Sequence, residues 1–211
     1  MAVRNTFLAY GSVHRALHWT VAILVVPQLL IGDLMLILSP GTVPTLTSYV
    51  HPTIGILIGL LMVARLYWRS HNVLPVEPKD IGVSGETLSA LTHYAFYFLL
   101  LINPIIGYFL ACAANDHVYF GFIWLPHVIA GSHSSEILFF WLHLWIGVSI
   151  GLLILLHIIG ALNHEFVLKD NVLRRMLGFP SMTRDRQERQ DQWPEHSLAA
   201  EFERKKESHE T

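Results

Sequence analysis

Residues 137–162 read ILFFWLHLWIGVSIGLLILLHIIGAL, a run of 26 without a single charge, and their reading decides the fold. About 20 such residues suffice for a helix to cross a bilayer. Two histidines interrupt the run, His143 and His157, fourteen residues apart. At about 100° per residue, fourteen steps end about 40° short of four full rotations and rise roughly 21 Å. Both imidazoles therefore face one side of a single membrane-spanning helix, at two depths.

Three further stretches carry the same apolar character: 16–38, with Asp33 its only acid, 51–68 and 93–114. Pro27 and Pro104 lie inside the first and third, where a packed membrane helix accommodates them with a kink. None of the four runs alternates with a period of two, which excludes a transmembrane β-barrel. The expected fold is an all-α integral membrane four-helix bundle over 1–180. The charged tail, 181–211, is expected to be disordered, with room for a short amphipathic helix near Leu198 to Phe202. Arg4 and Arg15 precede the first run as in a signal peptide. That run is too long for a signal core and lacks a small-residue cleavage site, so it is expected to remain as an anchor.

The composition agrees. Of 211 residues, 53% are hydrophobic and 14% charged, against roughly 25% charged in soluble domains. The single cysteine, Cys112, excludes a disulfide framework, a Cys-based zinc site and Cys-ligated iron–sulfur clusters. No C-x-x-C-H occurs, which excludes covalent c-type haem. The 14 Lys and Arg avoid 39–50 and 115–136 entirely. By the positive-inside rule both termini are expected in the cytoplasm. The partner expected from this is the lipid bilayer, with no nucleic acid.

With that orientation each of the 13 histidines acquires a depth. His51 and His143 fall in an outer layer. His18, His93 and His157 fall in an inner one, flanked by His14 just before the first helix and His164 at the cytoplasmic exit. Paired imidazoles on facing helices at two levels suit two stacked cofactors in a bundle. The cofactor of that description is haem b, because two axial histidines leave no open position for oxygen chemistry and favour electron transfer. The expected iron ligands are His18, His157, His51 and His143. His93 either replaces His18 as inner ligand or lines a quinone or proton site. The plainer alternative for each is an interhelical hydrogen bond or an interfacial anchor. His14 and His164 are expected to be non-ligands with possible quinone or proton roles. His71, His117, His127, His133, His196 and His209 read as surface residues. Gly55 and Gly147, one turn inward of His51 and His143, either make room for a porphyrin or form G-x-x-x-G packing pairs with Gly59 and Gly151. Arg65 and Arg69 either contact haem propionates or snorkel to lipid phosphate.

Several segments resemble the bacterial cytochrome b561 family. They are Val13-His14-Arg15-Ala16-Leu17-His18-Trp19, His93-Tyr94 with Asn103-Pro104-Ile105-Ile106-Gly107-Tyr108, and His157-Ile158-Ile159-Gly160-Ala161-Leu162-Asn163-His164 running on through Asp170 to Arg174-Arg175-Met176-Leu177. The resemblance covers about 11–178. It implies a four-helix inner-membrane cytochrome with two b haems, ligated at the positions of His18 and His157 and of His51 and His143. It also implies ubiquinone as probable substrate, with a quinone site near His164 set against a simple interfacial anchor there. The family includes a superoxide oxidase and is similar to the cytochrome b subunits of hydrogenases. The function expected is therefore transfer of electrons across the inner membrane to or from the quinone pool. Its two forms are a superoxide:ubiquinone oxidoreductase and an electron relay for a partner redox protein. Superoxide is an anion, and the outer loops hold no Lys or Arg to draw it. They hold Tyr119, Phe120, Phe122 and Trp124 instead, an interface-lying segment that caps the outer haem or docks a partner. A di-iron membrane oxidase fits less well, since no H-x-x-H-H occurs and the histidines divide between two faces. A transporter would place polar groups on broken helices at mid-membrane, where this chain is apolar.

Overall fold

The computed structural model describes residues 3–6, 9–38, 49–75, 82–169 and 172–179; the tail expected to be disordered lies outside them. Four long helices dominate: α1 (Ser12–Ile37), α2 (His51–Ser70), α3 (Gly82–Ala113) and α4 (His133–Asn163). All four are long and apolar enough to cross a membrane. Pro52 sits in the first turn of α2, where its missing N–H costs nothing. α3 starts eleven residues ahead of the apolar run that predicts it, because helical hydrogen bonding continues past the stretch that lipid selects. The outer loop is not merely interface-lying chain. It folds into a hairpin, β1 (Val118–Phe120) paired antiparallel with β2 (Ile123–Leu125), Tyr119 opposite Trp124. Gly121 takes the positive φ of 59° that a two-residue hairpin turn requires. The Thr53 hydroxyl donates to the Tyr119 carbonyl at 3.0 Å, tying the hairpin to the first turn of α2.

At the other end α4 runs into a π-helical turn, His164–Leu168, ended by Lys169 in the left-handed region. The short helix α5 (Val172–Leu177) follows, and Trp19 Nε1 of α1 donates to its Met176 carbonyl at 3.1 Å. The chain ahead of α1 also folds back. Asn5 accepts from the Gly11 amide at 2.8 Å and donates to the Val73 carbonyl beyond α2 at 2.9 Å.

Each long helix packs along the next in sequence, and α3 against α4 is the most extensive of these contacts. α4 makes no comparable backbone approach to α1 or α2. It meets α1 through side chains, His18 against His157 and Leu29 beside Gly151. The buried centre consists of Val21, Val25, Ile58, Met62, Tyr97, Leu100 and Ile150. Four of these have a simple register: Val25, Ile58 and Leu100 lie seven residues after His18, His51 and His93, and Ile150 lies midway between His143 and His157. Seven residues are about two turns and roughly 10 Å. One apolar layer, supplied by all four helices, thus separates the two histidine levels. Around it, side chains such as Leu30, Leu60, Phe98 and Leu152 are exposed, the face that lipid covers.

Packing rather than water-driven burial holds such a bundle together, so stability resides in the central layer. Met62→Ala, at a side chain with no exposure, is expected to destabilise the detergent-solubilised protein by on the order of 2 kcal/mol. Leu152→Ala on the lipid face is expected to leave it unchanged. Thermal unfolding of both variants measures the contrast.

Candidate functional site

Both expected histidine levels are present as close groups. In the outer one, His51 opens α2 and His143 lies in the third turn of α4, with ring centroids 5.9 Å apart and planes at 80°. His143 Nδ1 donates to the Asn103 carbonyl of α3 at 3.2 Å. That bond fixes the tautomer and leaves Nε2 as the lone-pair nitrogen. His51 is held through its own carbonyl, which accepts from Gln28 Nε2 of α1 at 2.9 Å, while its Nδ1 is buried without a hydrogen-bond partner.

A glycine on α3 makes room for the His143 ring, and a glycine on α1 lies in ordinary contact with His51. A Cβ on Gly107 of α3 would stand 2.8 Å from His143 Cε1, inside any tolerable contact. One on Gly32 of α1 would stand 3.5 Å from His51 Cε1. Gly32 and Gly107 follow His18 and His93 by fourteen residues. The spacing that relates His143 to His157 therefore recurs on α1 and α3, with glycine at the outer level. The glycines singled out from sequence divide differently. Gly55 faces Gln28, Gly59 faces Pro104 and Gly151 faces Leu29, all packing contacts. A Cβ on Gly147 would meet no atom within 4 Å.

The inner level gathers three imidazoles. His157 of α4 lies 6.2 Å from His18 of α1 and 5.7 Å from His93 of α3, at 61° and 85°. Phe96 lies edge-on to it at 5.6 Å. His93 stands inside α3 rather than opening it, and its Nδ1 donates to the Ser89 carbonyl at 2.7 Å. His18 Nδ1 is buried without a partner. The remaining helix, α2, contributes Arg65, again fourteen residues from its outer counterpart, His51. Arg65 is half-buried. Its guanidinium stands 5.7 Å from the centre of the buried Tyr97 ring, as does that of Arg69 one turn on. The Arg65 Nε is buried without a hydrogen-bond partner.

His14 departs from its expected place. It falls in the first turn of α1 and is buried, stacked on Tyr10 at 4.8 Å and 3.5 Å from the Asn5 amide. His164 begins the π-helical turn and is half-buried. Two of the loop histidines also do more than face solvent. His117 accepts from Trp124 Nε1 at 3.2 Å, and His127 donates to the Asp116 carbonyl at 2.9 Å, so both brace the base of the hairpin. His71 and His133 are exposed, and His133 pairs with Glu136 at 3.6 Å. His196 and His209 lie outside the described residues.

The geometry can be tested against a metal held between two imidazoles. With each metal–nitrogen bond about 2 Å and each nitrogen about 1 Å from its ring centre, the centroids fall roughly 6 Å apart. Both levels satisfy that distance. α4 also meets α1 through side chains rather than by close backbone packing. Among the described residues, no group of three or more His, Cys, Asp and Glu is placed to chelate a bare metal ion.

Comparison with known proteins points the same way. A family model described as prokaryotic cytochrome b561 matches residues 9–179. The chain belongs to this family. Cytochrome b561 homolog 2 of Escherichia coli (strain K12) is 31% identical over 184 residues, covering 84% of this chain and 96% of its own length. A protein named probable superoxide oxidase CybB from Yersinia pestis is 29% identical over 170 residues, 80% of this chain and 95% of its own. Cytochrome b562 of Cereibacter sphaeroides is 28% identical over 173 residues, with 80% and 94% covered. This cytochrome b561 is thus a multi-pass membrane protein of electron transport that binds haem b.

Because Gly107 leaves His143 its space, Gly107→Val is expected to dislodge the ring and lower the haem-to-protein ratio of the purified cytochrome. Gly160→Ala, where a Cβ meets nothing, is expected to preserve it. A pyridine haemochrome assay measures both.

Proposed function

We propose that this cytochrome holds two b haems, one at each level, and passes electrons across the membrane between a one-electron partner outside and the quinone pool inside. One observation carries the reading: two imidazole pairs with near-equal ring separations, set fourteen residues apart along one helix. His51 and His143 hold the outer iron. His18 and His157 hold the inner one, across the space between α1 and α4. His93 is the less suitable partner for His157, because α3 and α4 pack directly and leave no gap for a porphyrin between them. It lines the inner pocket instead. The haems, when bound, supply one-electron redox chemistry at potentials set by their surroundings. The protein contributes ligand orientation, through bonds such as His143 to Asn103, and exclusion of water by the lipid-clad bundle.

The absence of Lys and Arg from 39–50 and 115–136 supports an orientation with those loops outside and the termini in the cytoplasm, and the family supports the bacterial inner membrane. Ubiquinone then meets the chain near His164, where an interfacial imidazole exchanges the proton that accompanies quinone reduction. His14 is too enclosed, stacked and bonded, for that role. On the outer side, the similarity to a protein named superoxide oxidase suggests superoxide as donor. The second reading is an electron relay to a partner protein. It is favoured by the exposed aromatic tip of the hairpin at Phe122 and Trp124 and by the lack of cationic side chains to steer an anion.

The purified protein is expected to yield two haems per chain in a pyridine haemochrome assay. One haem or none would sink the two-level reading. His143→Ala and His18→Ala are each expected to remove one haem and leave the other. His93→Ala is expected to retain both; if it lost the inner haem and His18→Ala did not, the inner ligand would be His93. Mixing the haem-loaded protein with superoxide and a soluble ubiquinone analogue, and following quinone reduction, separates the two outer donors. Reduction by superoxide marks the oxidase, and its absence the relay.

A further inference from the structure

The two levels differ in charge. Among the described residues, the outer level contains two imidazoles, two glycines and the neutral Gln28, with no Lys or Arg on these spans at that depth; the one acid there, Asp33 beside Gly32, is exposed. At the inner level Arg65, with Arg69 one turn on, stands over the buried Tyr97 ring, at the depth that the fourteen-residue spacing gives His18 and His157. It has no carboxylate partner among the described residues. Its position follows from the register of α2, since the face that presents His51 to the outer level presents Arg65 to the inner one. Tyr97 beneath the guanidinium holds it inside the bundle rather than at the lipid surface.

We infer that Arg65 is the residue that makes the inner haem the more easily reduced of the two, biasing electrons from the outer to the inner side of the membrane. This rests on the two-haem reading above. Reduction adds one negative charge to a haem. A fixed cation at the same depth, in surroundings of low dielectric, stabilises the reduced form more than the oxidised one. The outer level has no such group. In the transfer itself one electron leaves the outer iron, which is oxidised, and reduces the inner iron; no bond or proton moves and no further reactant enters. Arg65 touches neither reacting atom in this account and acts through its field, as a positioning charge.

The test is a spectroscopic redox titration of the haem-loaded protein and its Arg65→Gln variant, each also made in a His143→Ala background that isolates the inner haem. Arg65→Gln is expected to lower the inner midpoint by at least about 59 mV, a tenfold change in a one-electron equilibrium constant. The outer midpoint should move much less. Arg65→Lys, which keeps the charge, should restore most of the shift, and Arg69→Gln, one turn farther from His157, should cause a smaller one. Equal movement of both midpoints, or movement of neither, overturns the inference. So does loss of the inner haem in both Arg65 variants, since that marks a structural role. A wild-type protein without two haems fails earlier, at the proposed function, and is recognised before any variant is titrated.

Discussion

A helix returns to nearly the same face after fourteen residues, having climbed about two-thirds of the apolar thickness of a bilayer. That geometric fact organises the whole protein. Every membrane-spanning helix uses it once: His18 and Gly32 on α1, His51 and Arg65 on α2, His93 and Gly107 on α3, His143 and His157 on α4. Halfway along each interval stands an apolar side chain, and the four of them form one buried layer. Polar groups are expensive in hydrocarbon. Here the imidazoles gather at two levels, where side chains, backbone carbonyls or a cofactor can meet them.

The helices contribute unequally. α4 carries a histidine at both levels and stands apart from α1 and α2, while α3 lies along it as a support, giving the Asn103 carbonyl and the Gly107 gap to His143. Pro104 next to that carbonyl packs on Gly59 of α2, so the kink-prone stretch of α3 is also where three helices converge. Outside the membrane, the hairpin fastened to α2 by Thr53 closes one end. The N-terminal turn and α5 close the other, through Asn5 and Trp19.

Much of this is legible in the sequence, because lipid imposes a coarse filter that apolar run length reads directly. The four spans and the same-face relation of His143 and His157 follow from it. The limits of α3 do not, since a helix continues into water wherever its hydrogen bonds are satisfied. Gly32 and Gly107 escaped for a different reason. Room for a ring was sought on the histidine's own helix, at Gly55 and Gly147, whereas it is supplied across the bundle. Applying the fourteen-residue offset to His18 and His93 finds both. The burial of His14 had no such signal, because it depends on a bond from Asn5 to a carbonyl 68 residues away. The hairpin had a weak one in Gly121 between two short aromatic runs, easily read as an interfacial loop.

The middle layer has a further consequence. Val25, Ile58, Leu100 and Ile150 offer no group that can take up or release a proton. Electrons can tunnel through such a barrier; hydrogen ions cannot hop through it. In the two-haem function proposed above, transfer between the levels would move net charge with no proton carried through this layer, and would be electrogenic. At a membrane voltage of 100 mV a full crossing is worth about 2.3 kcal/mol, and the energised state of the cell becomes a thermodynamic input to the direction and rate of flow.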